Sequence, residues 1–465
     1  MIKKGDKRTI NAWAFYDWAN SAYPLVVTTA IFPIFYQGVT TMTLEDGSTS
    51  SLVSFFGYTI PSSSLYSYVV GASFLMVSIL SPILGGLADY WGNKKFFLKL
   101  FCYLGAISCG SLYFFSTDHI ELSMLSVFFA SIGFWGSLVY YNAYLPEIAE
   151  PEDHDRISAK GFSLGYLGSS ILLIINLVCI MNPGWFFDIA ERANELMLAT
   201  PSLSLDEATS NATGYFKGRL SRLAFASVAV WWIGFAQYTF SVLPHNSKPK
   251  DSEKVSIWKG LQEIAKVWNE IQEIKIIKRY LAAFFVYSMG VQTVLLMAVL
   301  FAAEEIDWGD DAKGKTGLII SVLIIQFIAI LGAGVFSQLS KRIGNIRVLK
   351  IAVVIWFLVC VWAYTISTPI DFYITAASVG FVMGGVQALS RSTYSKILPE
   401  TKDHASFFSF YDVLEKIGIF IGMFAFGWIV QLTGSMRNSI FALGLFFIVG
   451  LILLFFVPKH KWTND

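Results

Sequence analysis

The sequence predicts an all-α membrane protein in which twelve transmembrane helices form two six-helix bundles. Two observations carry this prediction. Hydrophobic residues make up 55% of the 465-residue chain and charged residues only 14%, against roughly 25% charged residues in typical soluble domains. In addition, two polar segments of the first half of the chain recur, in the same order, in the second half. Long apolar runs that repeat in this way are typical of membrane proteins built from parallel repeats.

The repeated segments lie where long apolar runs meet short, polar, cationic loops. Residues 87–95 (LADYWGNKK) are echoed by 339–347 (LSKRIGNIR), and 141–147 (YNAYLPE) by 394–400 (YSKILPE). Because equal topology of the two copies demands a parallel repeat, we expect residues 69–181 to superpose on 319–434 by rotation about the membrane normal.

Twelve apolar runs are long enough to cross a hydrocarbon core of ~30 Å, which takes about 20 helical residues. Lipid cannot satisfy an open backbone, so runs of this length are predicted to be helices. We expect them near residues 12–38, 66–88, 96–116, 121–144, 160–182, 222–243, 280–303, 316–339, 347–366, 372–397, 406–431 and 437–457.

These helices divide the chain into an N-terminal bundle of six helices (1–244), a cytoplasmic linker (245–279) and a C-terminal bundle of six helices (280–465). Within the linker, residues 253–278 predict an amphipathic helix that either lies along the membrane surface or acts as a strut that moves with a gate. Its apolar stripe is Ile257, Leu261, Ile264, Trp268 and Ile271.

Lys and Arg residues concentrate in the first eight residues, the even-numbered loops and the tail, whereas the first loop, 39–65, contains neither. The positive-inside rule therefore predicts an integral, multi-pass protein of the cell (inner or plasma) membrane with both termini cytoplasmic. The basic, then apolar N-terminus lacks a small-residue cleavage site, so we interpret it as a retained first helix.

Several classes of function find no support in the sequence. There is no GxxxxGK[ST] phosphate loop, no metal-ligand cluster and no soluble domain large enough for a nucleotide. The net charge of +1 comes without a basic patch that would indicate a nucleic-acid partner. The cysteines lie in apolar runs without paired spacing, at Cys102, Cys109, Cys179 and Cys360. We expect a monomer in the lipid bilayer that is not an enzyme and has no catalytic residue, cofactor or metal.

The whole chain resembles the major facilitator superfamily and, within it, the vacuole effluxer-like branch. The segments that carry this resemblance are 16–23 (YDWANSAY), 144–147 (YLPE), 161–168 (GFSLGYLG), 287–293 (YSMGVQT), 387–392 (QALSRS) and 407–411 (FFSFY). The resemblance implies a central cavity lined by helices 1, 4, 7 and 10. It also implies transport by alternating access, with efflux of an amino acid or short peptide as the first expectation.

Asp17 is the strongest candidate for a transport role, because a charge within the bilayer costs a few kcal/mol or more. It lies roughly 9 Å of helix rise inside the first helix. Spacings of three and four residues place Trp13, Asn20, Pro24 and Thr28 on its face. Asp17 either has a functional role with the substrate, with a proton or in a gate, or it is a helix-end residue that hydrogen-bonds to a neighbouring helix.

Arg391 lies at a similar depth in the tenth helix, and three interpretations remain open for it. It can form a cytoplasmic latch with Asp17, or present with Asp17 the two charges that a zwitterionic amino acid needs. Alternatively, it snorkels to the headgroups or pairs with Asp412 or Glu415.

Polar and aromatic residues near the expected midplane complete the candidate substrate site, since such pockets combine apolar walls with a few polar groups. The alternative for each of these residues is a purely structural hydrogen bond between two helices. The candidates are Asn20, Tyr23, Trp135, Tyr287, Gln292 and Gln387.

The second-to-third loop resembles the gating signature of the superfamily, whose glycines let helices approach closely. Its Asp89 is expected to meet the positive N-terminal end of helix 11 near 404–406 and to latch the cytoplasmic side shut. Lys341 replaces the acid in the second copy, so a matching latch there is not expected. The candidate gating residues are Gly85, Gly86, Asp89, Gly92 and Lys95.

The leading functional hypothesis is a secondary active transporter of a small polar solute, with protons as a candidate coupling ion. The alternatives are a proton-coupled exporter of amphipathic compounds, which the 16% aromatic content would tolerate, and a receptor or enzyme that retains the scaffold without transport. A non-transporting protein would need no continuous polar path between the halves.

Overall fold

A computed structural model of the protein describes residues 4–43, 49–244, 257–309 and 311–458. In this part of the chain, twelve helical segments are long and apolar enough to cross a membrane. The all-α fold with twelve spans is therefore confirmed. The division of the chain into the predicted domains, and the superposition of 69–181 on 319–434, stay predictions.

The described residues of the first half contain nine α-helices, of which α6 is a short extension of α5 and α8 lies outside the spans. They are α1 (Lys7–Asn20), α2 (Phe32–Thr40), α3 (Ser62–Trp91), α4 (Lys94–Ser111), α5 (Ile120–Ala143), α6 (Leu145–Ile148), α7 (His154–Met181), α8 (Ile189–Ala199) and α9 (Leu205–Val242). Short 3₁₀ turns occur at Leu112–Phe114, Pro151–Asp153 and Pro183–Trp185.

The second half contains the linker helix α10 and six spans. They are α10 (Ile257–Glu273), α11 (Lys275–Glu305), α12 (Asp311–Ile343), α13 (Asn345–Ala363), α14 (Pro369–Ile397), α15 (His404–Thr433) and α16 (Met436–Phe455).

The first span is not one regular helix, because a π-helix, Tyr23–Ile31, joins α1 to α2. In a π-helix the backbone N–H bonds five residues back rather than four, so each turn takes up more residues. Thr29 Oγ1 also donates to the Pro24 carbonyl at 2.8 Å. The apolar pattern of the first span predicts a helix but gives no sign of this change of period.

Two small antiparallel hairpins follow α2 and were not predicted. One pairs β1 (Met42–Thr43) with β2 (Thr49–Ser50), and the other pairs β3 (Leu52–Phe55) with β4 (Tyr58–Pro61). The turn of the second hairpin is Phe56-Gly57, with φ of 47° and 81°. Positive φ at both central residues is the geometry that tight hairpin turns require.

The two ends of the bundle are distinguished by the chain termini. The N-terminal segment lies against α6, since the Gly5 N–H donates to the Ile148 carbonyl at 2.9 Å. The last turn of α16 is held by Arg279, which donates to the Phe456 carbonyl at 2.9 Å. We call this the termini end and the opposite one the far end.

The halves meet along two main helix contacts, α3 against α15 and α7 against α12 and α14. Small residues permit close approach. A Cβ added at Gly85 of α3 would lie 3.0 Å from the Ala405 carbonyl oxygen and 3.2 Å from Ser409 Cβ, both in α15.

The linker helix α10 ends earlier than the predicted range of 253–278. It ends at Glu273, and the extended residue Ile274 separates it from α11; residues 253–256 lie outside the described residues. Of its apolar stripe, Ile271 is buried and Trp268 packs on Phe410 of α15 at 5.6 Å between ring centroids. Because α10 also packs on α3, it contacts both halves.

Candidate functional site

A central cavity of about 310 Å³ lies between the two halves. Seven of the eight predicted substrate-site residues line it: Asp17, Asn20, Trp135, Tyr287, Gln292, Gln387 and Arg391. They come from α1, α5, α11 and α14, the four spans that the family resemblance implied. Helix α15 also contributes lining residues, Tyr411, Glu415 and Ile419.

Tyr23 does not line the cavity, so its predicted place in the site is wrong. Its side chain is buried in the N-terminal half, with its ring packed on Phe134 and Trp232 at centroid distances of 5.5 and 5.9 Å. Thr28, which was predicted to lie on the same face as Asp17, does not line the cavity either, and Thr29 lines it instead. The cause is the π-helix, which shifts the residues beyond Pro24 by one position relative to an α-helix.

Asp17 and Arg391 meet across the halves at the termini end of the cavity. Arg391 Nη1 lies 3.4 Å from Asp17 Oδ2, and the Tyr141 hydroxyl donates to the same oxygen at 2.7 Å. Both charged side chains are almost fully buried, at 4% and 6% exposure. Removing either partner would leave an uncompensated buried charge, which is strongly destabilising.

The remaining donors of Arg391 are directed to the N-terminal half as well. Its Nε donates to Ser158 Oγ at 2.9 Å, its Nη2 to the Ser158 carbonyl at 2.9 Å, and its Nη1 also to Asn142 Oδ1 at 3.3 Å. The guanidinium lies 4.1 Å from the Phe162 ring centroid and 5.0 Å from that of Trp13. One of the three interpretations paired Arg391 with Asp412 or Glu415, and the structure does not show this pairing.

Gly161 of α7 makes the approach of Asp17 and Arg391 possible. A Cβ at this position would lie 2.6 Å from Asp17 Oδ2, 2.9 Å from the Tyr141 hydroxyl and 3.1 Å from Arg391 Nη2. One turn on, a Cβ at Gly165 would lie 2.5 Å from Ser21 Oγ of the first span. The glycine-rich segment 161–168 thus brings α7 against α1.

A second charged cluster lies on the α15 wall of the cavity. Lys416 Nζ lies 3.0 Å from Asp412 Oδ1 and 2.6 Å from Glu415 Oε2. Asp412 also accepts from Ser81 Oγ of α3 at 3.0 Å, and Lys416 lies 3.8 Å from the ring centroid of Trp135 in α5. The cluster therefore reaches from α15 to both α3 and α5 of the N-terminal half.

The uncharged polar residues of the cavity are mostly hydrogen-bonded to one another. The Tyr166 hydroxyl donates to Gln387 Oε1 at 2.6 Å, and the Tyr287 hydroxyl lies 2.7 Å from Ser390 Oγ. Asn20 differs, since its Nδ2 is buried without a hydrogen-bond partner among the described residues.

The cavity continues toward the far end. A further void of about 550 Å³ shares the lining residues Thr29, Val299 and Val322 with it and extends along α2 to Gln37 and along α11 to Ile306. The path between the halves is therefore wide on the far side of the Asp17–Arg391 pair.

At the termini end, Asp89 closes one side of the interface between the halves. Its carboxylate accepts from the backbone N–H groups of Ala405 and Ser406, at 3.2 and 2.7 Å, in the first turn of α15. A carboxylate at a helix N-terminus is stabilised by the helix dipole. The contact has the geometry that the sequence predicted, while its role in gating stays a prediction.

Lys94 extends this contact into a cluster of charged side chains, so its role goes beyond setting the membrane topology. Its Nζ lies 3.3 Å from Asp89 Oδ1 and also pairs with Glu147 at the end of α5–α6. The Glu147 carboxylate in turn lies 3.2 Å from His404 Nδ1 of α15. The carboxylate of Glu147 in α6 is therefore directed toward the interface between the halves.

A second cluster closes the other side of the same interface, although the second copy of the loop lacks an acid. Asp155, in the first turn of α7, accepts from Ser340 Oγ and Asn345 Nδ2, each at 2.7 Å, and pairs with Lys396 Nζ at 2.6 Å. Both charged side chains are buried. The acid of this cluster comes from α7 and not from the second copy of the loop, where Lys341 stands. The expectation that the second copy carries no matching latch stays a prediction.

The other predicted gating residues have different places. Gly92 ends α3 in the left-handed conformation, with φ of 62°, and Gly86 is buried within α3. Lys95 Nζ donates to the Leu243 carbonyl at 2.6 Å, at the end of α9 in its own half. Only Gly85 and Asp89 of this set are placed against α15.

Two helical bundles around a cavity that is closed at one end define a membrane transporter of the major facilitator type. Solved structures with this fold include the Escherichia coli fucose:proton symporter, with a TM-score of 0.63, 15% identity, and coverage of 97% of this chain and 98% of that one. A proton:xylose symporter matches with a TM-score of 0.66 and 12% identity over 98% of this chain and 96% of that one. At these identities the likeness shows the fold alone.

The chain belongs to the vacuole effluxer Atg22-like family, whose profile matches residues 5–465. It is 31% identical over 468 residues to an uncharacterized MFS-type transporter, YxiO, of Bacillus subtilis (strain 168), covering 100% of this chain and 98% of the relative. It is 23% identical over 502 residues to autophagy-related protein 22 of Yarrowia lipolytica, covering 88% and 78%. The resemblance drawn from the sequence is confirmed, and the family and fold are those of transporters.

Proposed function

We propose that this protein is a secondary transporter that moves a small polar solute across the membrane by alternating access. The observation that supports this most directly is the asymmetry of the path between the halves. The cavity continues into a wide void at the far end, whereas buried ion pairs close the termini end.

In this proposal both termini face the cytoplasm, as the distribution of Lys and Arg predicts, and the conformation described is outward-facing. Return to the inward-facing state requires the Asp89 and Asp155 clusters and the Asp17–Arg391 pair to separate. Each is polar and buried between rigid helices, so the interface has discrete closed and open arrangements rather than a continuum.

The polar groups of the cavity support a small polar solute. Asn20, Gln292 and Gln387 line it among apolar walls, which is the composition of sites that orient a ligand through a few hydrogen bonds. Membership in a family named for vacuole effluxers favours export, with amino acids or short peptides as the first substrates to test.

A proton-coupled exporter of amphipathic compounds is the second candidate. Aromatic side chains form much of the cavity wall, including Phe74, Phe134, Phe162 and Phe284. Such walls suit a substrate with a large apolar part.

Efflux from proteoliposomes tests the proposal. Vesicles that contain the purified protein are loaded with an equimolar mixture of amino acids, dipeptides and amphipathic amines, and the released solutes are quantified by mass spectrometry. We expect the wild type to release at least one polar solute faster than protein-free vesicles, and the Arg391→Met variant to release it at the background rate. Release at the background rate for every solute by the wild type would contradict transport.

A further inference from the structure

The charges around the central cavity do not balance. Asp17 neutralises Arg391 at the termini end. On the α15 wall, a single cation, Lys416, lies between two carboxylates, Asp412 and Glu415. Counted as formal charges, these five groups therefore sum to −1, and the excess lies on the α15 wall.

Neither cation is available to an anionic ligand. The Lys416 side chain is fully buried, contacts both carboxylates and faces the Trp135 ring at 3.8 Å. Arg391 donates to Asp17, Asn142 and Ser158. A solute carboxylate would have to displace a buried partner from one of these cations, which is costly.

Glu415 is the carboxylate that the cavity exposes. Its side chain is 18% exposed, against 7% for Asp412, and it lines the cavity. Oε1 accepts from Gln292 Nε2 at 2.8 Å and Oε2 from Lys416 Nζ. Because a carboxylate offers about four acceptor sites, roughly two remain for a ligand.

Two further observations point to a cationic ligand with an oxygen acceptor. Asn20 is buried in the cavity wall, and its amide nitrogen has no partner among the described residues. Along the far-end void, Asp307 is the only charged residue among the described lining residues. A carboxylate beside the path attracts a cation and repels an anion.

We infer that the transported solute carries a protonated amine without a compensating carboxylate, and that this ammonium group binds Glu415 beside Gln292. Asn20 donates a hydrogen bond to an oxygen of the same solute. This assignment rests on the proposed function and names its substrate class as cationic amines that carry a carbonyl or hydroxyl oxygen. An ordinary zwitterionic amino acid fits less well, because none of the described lining residues of the cavity is a cation left free for its carboxylate.

A series of four leucine derivatives tests the assignment, because its members share a side chain and differ in charge. L-leucine amide is cationic, L-leucine zwitterionic, N-acetyl-L-leucine anionic and N-acetyl-L-leucine amide neutral at about pH 6, where α-amino groups are protonated. Binding of each to the purified full-length protein is measured by isothermal titration calorimetry. The wild type is compared with Glu415→Gln and with Glu400→Gln, which removes the same charge from an exposed position outside the cavity.

We expect the wild type and Glu400→Gln to bind leucine amide at least about tenfold more tightly than the neutral member, as charge-assisted hydrogen bonds predict. Glu415→Gln should reduce this preference to within about twofold, and Glu415→Asp should retain part of it. The proposal is overturned if leucine amide binds the wild type no more tightly than the neutral member, including the case in which neither binds. It is also overturned if folded Glu415→Gln still prefers leucine amide to the neutral member and differs from the wild type only in that its binding no longer depends on pH. That result would make Glu415 a proton site.

Uptake of the same four compounds into proteoliposomes separates this inference from the proposed function. If the cationic member binds selectively and neither it nor any solute of the efflux mixture is transported, transport is contradicted, and the assignment of the Glu415 site to cations stands. If the neutral or anionic members are transported at rates that do not depend on Glu415, transport stands and the charge assignment is wrong.

Discussion

The Asp155 carboxylate and the Lys396 ammonium group lie 2.6 Å apart across the boundary between the two halves. Asp155 also accepts from Ser340 and Asn345 in the second copy of the repeated loop. On the other side, Asp89 in the first copy accepts from the first turn of α15. Each copy of the loop thus contacts the first turn of a helix from the opposite half. At the first copy the carboxylate, Asp89, belongs to the loop, whereas at the second copy the carboxylate, Asp155, belongs to the helix.

Replacing Asp89 with Asn should shift the protein partially toward opening at the termini end without preventing folding. A carboxylate at a helix N-terminus is worth about 0.3–2 kcal/mol, so a partial shift in population is expected. We propose to measure it by thiol labelling of Ser395→Cys, a buried position on α14, in a background with Cys179→Ser. Ser241→Cys, which is exposed, serves as the control. Unchanged labelling together with unchanged transport would remove Asp89 from the gate.

Replacing Asp155 with Asn should have a similar effect and should add to that of Asp89→Asn. Among the described residues the two clusters share no hydrogen-bond or ion-pair partner. Such sites usually contribute independently to the free energy, within about 0.5 kcal/mol. The same labelling assay on both single variants and the double variant measures this. A double variant that labels no faster than the more reactive single variant would show that one cluster alone holds the interface closed.

Replacing Arg391 with Met should destabilise the protein by about 3–5 kcal/mol, because Asp17 would remain buried without a counter-charge. Adding Asp17→Asn should recover part of this loss, since the buried charge is then gone and Tyr141 still has an acceptor. Thermal unfolding of both single variants and the double variant measures the coupling. Equal unfolding temperatures for Arg391→Met and the double variant would contradict a direct interaction of the two side chains.

Replacing Gly161 with Ala should cost about 1–3 kcal/mol, the range for an overpacked interface, and should lower transport by displacing Asp17. The new Cβ would lie 2.6 Å from Asp17 Oδ2. Gly234→Ala in α9 is the matched control, because its Cβ would meet nothing within 4 Å. The control should gain about 0.5–1 kcal/mol from the better helix propensity of Ala. Equal unfolding temperatures for the two variants would contradict the close approach of α7 to α1.

Much of the fold could be predicted because long apolar runs and repeated loops are local signals. The same holds for Asp89, where an acid next to a glycine-rich loop pointed to the helix end that it contacts. Thr28 was misplaced because the apolar sequence of the first span does not reveal that its period widens from Tyr23 onward. Predicting this change would require knowledge of how the span packs on α7 and α9. Tyr23 lies six residues after Asp17, which at 3.6 residues per turn already puts it about 120° from the Asp17 face.

The residues that sequence reasoning missed depend on pairing between distant helices. Asp155 has the ordinary sequence context of an acid in the first turn of a helix, and only the contact with α12 and α13 shows that it is buried. Lys94 is similar, since a basic loop residue is usually explained by topology. Glu415 is similar, since only its contact with Gln292 of α11 shows its place in the cavity wall.

Distances between paired spin labels test alternating access most directly. One pair, at the exposed positions Glu152 and Lys402, spans the halves at the termini end. The other, at Ile34 and Ala303, spans the void at the far end. In nanodiscs, the account predicts that Asp89→Asn combined with Asp155→Asn adds a longer distance at the termini end and a shorter one at the far end. Opening at the termini end with an unchanged far-end distance, or no change at either end, would contradict it.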